Sequence, residues 1–195
     1  MTTQIQFVLP ADVGAEEALR RTDNAVFGLG TTKLKPFRKQ SRDKASDSLE
    51  IHRWRQEGEP PTAIDLTVDR SIPAAFVSVL SQDAGHGPGV ADALNEFLRA
   101  PPAGEFIAEA LRRPTESAAL LRAAMAAGRE RDERLASLVE SGLRADDRDR
   151  RAAAIKAAAL LTWPSFAPAL AEASARETDP ELKRFLVIAR KKIAP

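Results

Sequence analysis

The chain has 195 residues, 44% apolar and 29% charged, the balance of an ordinary globular protein long enough for one or two domains. Its net charge is +1, so no global electrostatic pull toward nucleic acid or membrane exists. It lacks cysteine, which excludes disulfide frameworks, thiolate metal sites and cysteine nucleophiles.

Arginine (21) far outnumbers lysine (8), a bias that suggests a GC-rich bacterial gene. The opening MTTQIQFVLP has no basic segment before its short apolar run, so it does not read as a secretory signal. Apolar runs of the C-terminal half, such as residues 157–161, fall far short of a membrane span. A cytoplasmic location is the expectation.

Residues 4–9 read as a strand stopped by Pro10. Residues 14–26 read as a helix: Ala18, Leu19, Ala25 and Val26 can share a face, and Glu16 and Glu17 suit the first turn. Gly28-Leu29-Gly30 then breaks the chain. It lacks the spacing of a phosphate-binding loop.

Residues 31–48, TTKLKPFRKQSRDKASDS, carry six basic and two acidic side chains and almost no periodicity, so an exposed loop is expected. Residues 48–55 and 62–69 are strand candidates around a turn-rich 56–61, and a hairpin is the natural reading. Ile64, Leu66 and Val68 alternate with Asp65, Thr67 and Asp69, as one buried and one solvated face require. Residues 74–80 fit helix or strand, and Pro73 at a first helical position favours helix.

Near residue 90 the composition changes: 9 alanines precede Ala91, and 27 lie in 91–195. The run Gly85-His86-Gly87-Pro88-Gly89 reads as a linker. Two regions are therefore expected, a mixed 1–89 and a helical 90–195. Helices are expected near 90–99, 103–112, 115–127, 130–142, 147–161, 165–176 and 180–193. In the last, Asp179 can cap, Pro180 suits the first position, and Leu182, Phe185, Ala189 and Ile193 form an apolar stripe.

A shift of 32 residues superposes Leu138 on Leu170, Glu140 on Glu172, Arg144 on Arg176, Asp147 on Asp179 and Arg151 on Lys183. Farther back Arg112 meets Arg144, and then the register fades. A period of this size points to stacked helix pairs. The stretches DDRDRRAAAIKAAALL and TDPELKRFLVIARKKI resemble the HEAT family, especially its short bacterial HEAT-like form. The resemblance covers about residues 129–195, weakens over 90–128 and does not reach 1–89. It implies that Asp147 and Asp179 cap helices and that Arg151 and Lys183 bridge to neighbouring repeats, while alanines let helices approach. Phe185, Leu186 and Val187 stand where that family has small residues, as in a terminal, capping repeat.

The fold class expected is α+β: a small antiparallel sheet-containing N-terminal region, then an all-α HEAT-like helical-hairpin stack. No catalytic, cofactor-binding or metal-binding set is expected. His52 and His86 lack HExxH spacing, and His86 with Asp83 or Asp92 reads as a loop. Asp65 and Asp69 read as a solvated face before acid–base partners. Trp163 reads as interhelical core. The groups Arg148, Arg150, Arg151 and Arg129, Arg131, Arg134 are interleaved with acids, as on a mixed helix surface.

The extended surface of such a stack suits recognition of another protein, so a non-enzymatic interaction protein without cofactor is the leading expectation and an enzyme the third. An adaptor is one form, and a bacterial immunity protein neutralising a toxin is another. The alternative is nucleic-acid binding through the basic loop. Lys33, Lys35, Phe37, Arg38, Lys39, Arg42, Arg53, Trp54 and Arg55 are the candidate partner-binding residues in either case, since cations can grip phosphates and aromatics can stack bases.

Overall fold

The computed structural model describes residues 3–44, 46–58, 61–70, 72, 74–128 and 130–193. The fold is α+β, and the chain divides into Met1–Pro101 and Pro102–Pro195.

The first unit runs β1 (Thr3–Val8), α1 (Ala15–Leu29), β2 (Phe37–Lys44), β3 (Leu49–Gln56), β4 (Thr62–Asp69), β5 (Ala74–Ser81) and α2 (His86–Leu98). Its five strands make one antiparallel sheet in the order β1-β5-β4-β3-β2. Strand alternation sends Ile64, Leu66, Val68, Val77, Val79 and Trp54 to one face. There they meet Ala18, Ala25, Val26 and Leu29 of α1 and Val90, Ala91, Leu94 and Leu98 of α2. The hairpin expected of residues 48–55 and 62–69 forms, with Ile51 opposite Thr67.

Three expectations are corrected here. Residues 37–44 are not loop but edge strand β2, paired with β3 through a bulge between Lys39 and Ser41. An edge strand exposed along most of its length needs no apolar alternation, and its charges keep the open edge from pairing with other chains. Residues 74–81 are strand, not helix: β5 lies between β1 and β4, and burial on both faces makes its sequence nearly all apolar. Pro73, which favoured helix, lies outside the described residues.

The glycine run, expected to be a linker, instead opens α2. Asp83 Oδ1 accepts hydrogen bonds from the Gly85 and His86 amides (2.7 and 3.0 Å). A Cβ on Gly87 would lie 3.0 Å from Ser81 Cβ, so the missing side chain lets the helix start sit on β5. α2 packs on α1, β1 and β5 and belongs to the first unit.

The second unit is a stack of helical hairpins: α3 (Ala103–Arg112) with α4 (Ser117–Ala127), α5 (Glu133–Leu143) with α6 (Arg148–Leu161), and α7 (Ala167–Arg176) with α8 (Pro180–Ile193). Alternate helices also pack, α3, α5 and α7 forming one layer and α4, α6 and α8 the other. Alanine makes this possible. Ala153, Ala154, Ala157 and Ala158 of α6 are buried, and a Cβ on Gly142 would lie only 2.8 Å from Ala154 Cβ. On α8 the buried residues are Leu182, Leu186, Ala189 and Ile193; Phe185, expected in that stripe, is only half-buried. Among the described residues no helix is long and apolar enough to cross a membrane.

Candidate partner-binding surfaces

The basic segment of the first unit is folded into the β2–β3 hairpin, and most of its cations already have carboxylate partners. Register places Lys39 opposite Trp54 and Arg42 opposite His52. Lys39 Nζ lies 3.1 Å from Asp23 Oδ2 and 5.0 Å from the Trp54 ring centroid. Trp54 is 2% exposed and donates Nε1–H to Asp23 Oδ1 (3.2 Å). Its ring belongs to the core and offers no open face to a base. Phe37 is half-buried and packs against the same core.

Arg38 pairs with Glu57 at 2.5 Å, and Arg42 with Glu50 at 2.8 Å. The Arg42 guanidinium and the His52 ring hold the Glu50 carboxyl below its usual range against the opposing effect of burial. His52, 5% exposed, places Nε2 2.6 Å from Glu50 Oε1, while its buried Nδ1 has no partner. Arg53 grips both oxygens of Asp65 (2.7 and 2.5 Å), and this bond raises the arginine's pKa. Asp65 is 6% exposed, so the expected solvated face of β4 is corrected: at its centre a buried carboxylate pairs with the partly exposed Arg53.

Lys33, Lys35 and Arg55 are exposed and make no ion pair among the described residues. Arg53 and Arg55 border a cleft of about 320 Å³ with Thr62, Ala63, Leu80 and Gln82. Sequence reading missed Asp23 and Glu50, the carboxylates that tie this segment down. Their spacing from it carries no local pattern.

In the second unit Asp147 and Asp179, 32 residues apart, play the same part. Asp147 Oδ1 accepts from the Arg150 amide (2.7 Å), and Asp179 Oδ1 from the Glu181 and Leu182 amides (2.8 and 3.1 Å). Each caps the second helix of its hairpin. Arg151 donates to the Ala145 and Asp146 carbonyls of its own hairpin (3.1 and 2.7 Å) and to Glu177 of the next (2.8 Å). Glu177 is 7% exposed, and the Arg151 hydrogen bond lowers its pKa against the penalty of burial. Arg148 reaches Asp179 at 2.8 Å and also pairs with Glu181, which raises its own pKa. Lys183, the counterpart of Arg151, is exposed and has no ion pair among the described residues.

Between the second and third hairpins lies a groove of about 250 Å³. Leu143 and Ala173 line it with Arg144, Arg151, Arg176 and Glu177. Arg144 and Arg176, one repeat apart, are each about half exposed and share Glu172 at 3.5 and 3.7 Å. Elsewhere Arg131 pairs with Glu133, and Arg134 with Asp132. Arg129 lies outside the described residues.

Trp163 is buried and stacks on Phe166 at 5.5 Å. Thr31 and Thr32 hydroxyls donate to the Gly28 and Leu29 carbonyls at the C-terminus of α1, the wrong helix end for a phosphate. His86 Nε2 lies 2.7 Å from Gln56 Oε1. No group of three or more His, Asp or Glu arranged to hold a metal occurs among the described residues. Comparison of the chain with protein-family models, curated proteins and solved structures finds no match.

Proposed function

We propose that the protein is a non-enzymatic protein-interaction module whose helical-hairpin stack, of the HEAT-like kind, carries the recognition surface. The observation that supports this most is the groove between the second and third hairpins. Leu143 and Ala173 line it beside Arg144 and Arg176, which stand at the same place on successive hairpins and share a single carboxylate, Glu172. Stacked helical hairpins build continuous surfaces of this type, and two half-exposed arginines that share one carboxylate leave a net positive charge that suits an acidic protein segment.

The basic hairpin supports nucleic-acid binding less well, because Trp54 is buried and Arg38, Lys39, Arg42 and Arg53 are held by carboxylates.

The test is quantitative affinity capture from the native host with wild-type protein and the Arg144→Glu/Arg176→Glu variant. A protein partner bound in near-equal amount by the wild type and lost by the variant is expected. Absence of such a partner at physiological protein level, or equal capture by the variant, overturns the reading. Titration with duplex DNA at low and physiological salt is expected to show no steep salt dependence.

A further inference from the structure

Helix α8 differs from the rest of the stack in its charge. It carries five cations, Lys183, Arg184, Arg190, Lys191 and Lys192, against one carboxylate, Glu181. Glu181 is committed to Arg148. None of the five cations makes an ion pair among the described residues, whereas most arginines elsewhere in the unit do. The net charge of +1 for the whole chain thus conceals a local excess on one helix.

Helix electrostatics explains only part of it. Arg190, Lys191 and Lys192 lie in the last turn, where a cation complements the dipole. Lys183 and Arg184 lie near the other end, where the dipole gives a cation no benefit.

Between these two groups Val187 and Ile188 stand 50% and 51% exposed. Helical spacing arranges six of these seven residues, all but Arg190, in two parallel rows, Lys183–Val187–Lys191 and Arg184–Ile188–Lys192. Each row reads cation, aliphatic, cation, over about 12 Å of helix.

We propose that this double row is a docking face for an acidic protein segment that presents an apolar side chain between carboxylates. The proposal rests on the protein-interaction reading and names a second surface for it, separate from the groove at Arg144 and Arg176. Charge complementarity selects the occupant. A second copy of the same face would set like charges against each other. A membrane needs a broad apolar face to insert, but Leu182, Leu186, Ala189 and Ile193 are already buried in the stack. A nucleic-acid backbone would satisfy the cations yet leave Val187 and Ile188 against charged strand, and the one aromatic of the helix, Phe185, is half-buried with Lys156 Nζ 5.7 Å over its ring. A protein segment satisfies both kinds of side chain.

The test uses the full chain and a fluorescein-labelled helical peptide of about four turns. The peptide carries two leucines on one face, flanked by glutamates at i and i+8; a shuffled peptide of the same composition is the control. Fluorescence anisotropy at physiological salt is expected to show binding of the first peptide and at least about tenfold weaker binding of the control. Lys183→Glu/Lys191→Glu is expected to weaken binding about tenfold or more, and Val187→Ser/Ile188→Ser about threefold to tenfold. These positions are exposed, and circular dichroism checks that the helices are retained. Arg144→Glu/Arg176→Glu is expected to bind the peptide as the wild type does, so failure of the groove reading and failure of this one are distinguishable. The proposal is overturned if the control binds equally, if either α8 variant binds as the wild type does, or if duplex DNA or phosphatidylserine vesicles bind more tightly than the peptide.

Discussion

In residues 3–101 most ion pairs join near neighbours: Arg20 and Arg21 reach Glu17 on one helix, and Arg53 reaches Asp65 on the adjacent strand. In residues 102–193 several join successive hairpins: Arg144 to Glu172, Arg148 to Asp179 and Arg151 to Glu177. The cores differ in the same sense. The sheet unit buries Trp54, Ile64, Leu66, Val77 and Val79, large side chains that interlock. The stack buries more alanines, which bring helices close, beside large side chains such as Leu135, Leu161, Phe166 and Leu170. Charged pairs at the helix starts tie successive hairpins together, while in the sheet the backbone ladder joins neighbouring strands.

That contrast is broken most directly in the sheet core. Leu66 is fully buried at the centre of β4. Leu66→Ala is expected to cost about 2–5 kcal/mol, the sum of lost transfer energy and a cavity that rigid strands cannot close. Urea unfolding gives the value, and amide exchange should localise the loss of protection to β3, β4 and β5. An effect below about 1 kcal/mol would mean that large side chains do not dominate this unit.

The equivalent test in the stack is electrostatic. Arg151→Ala leaves the buried Glu177 without its cation and is expected to cost about 3 kcal/mol, the low end for a broken buried pair because Arg151 itself is 22% exposed. Adding Glu177→Ala should recover part of that loss, a positive coupling that a double-mutant cycle measures. The pH dependence follows in sign. Glu177 has its folded-state pKa held below the unfolded value, chiefly by Arg151. Its contribution is present above the unfolded value and is lost as pH falls through the folded one. Wild type should therefore lose more stability on acidification than Arg151→Ala does, as measured by urea midpoints from neutral to acid pH.

The helical half was the more legible in sequence. Helices 103–112 and 180–193 were readable to the residue, because Pro102, Asp179 and Pro180 punctuate the chain with chemistry that acts locally. The caps Asp147 and Asp179 were legible for the same reason. What failed depended on distant neighbours. β2 lacks alternation because little of it is buried, and β5 lacks it because both its faces are largely covered. Asp65 looked like a solvated carboxylate because its partner, Arg53, lies on another strand. Of the nine candidate binding residues, Trp54 was the furthest from expectation, since strand alternation turns it into the core, where Asp23 of α1 accepts its Nε1–H. Glu177 and the exposed Val187 and Ile188 were missed because burial and exposure on a helix depend on what packs beside it.

The smallest expected effect sharpens the boundary between the two regions. Residues 85–89 look like a linker, and in a linker Gly89→Ala would alter stability little. In the structure Gly89 lies inside α2, and a Cβ there meets nothing within 4 Å. Alanine costs less backbone entropy than glycine in a helix, so Gly89→Ala should stabilise the protein by about 0.5–1 kcal/mol. Gly87→Ala, two residues away in the same helix, should do the opposite, because its Cβ would press on Ser81 at 3.0 Å. Thermal melts of the two variants should therefore move in opposite directions. Equal and negligible shifts would instead mean that the helix begins later and that the run is the linker its composition suggests.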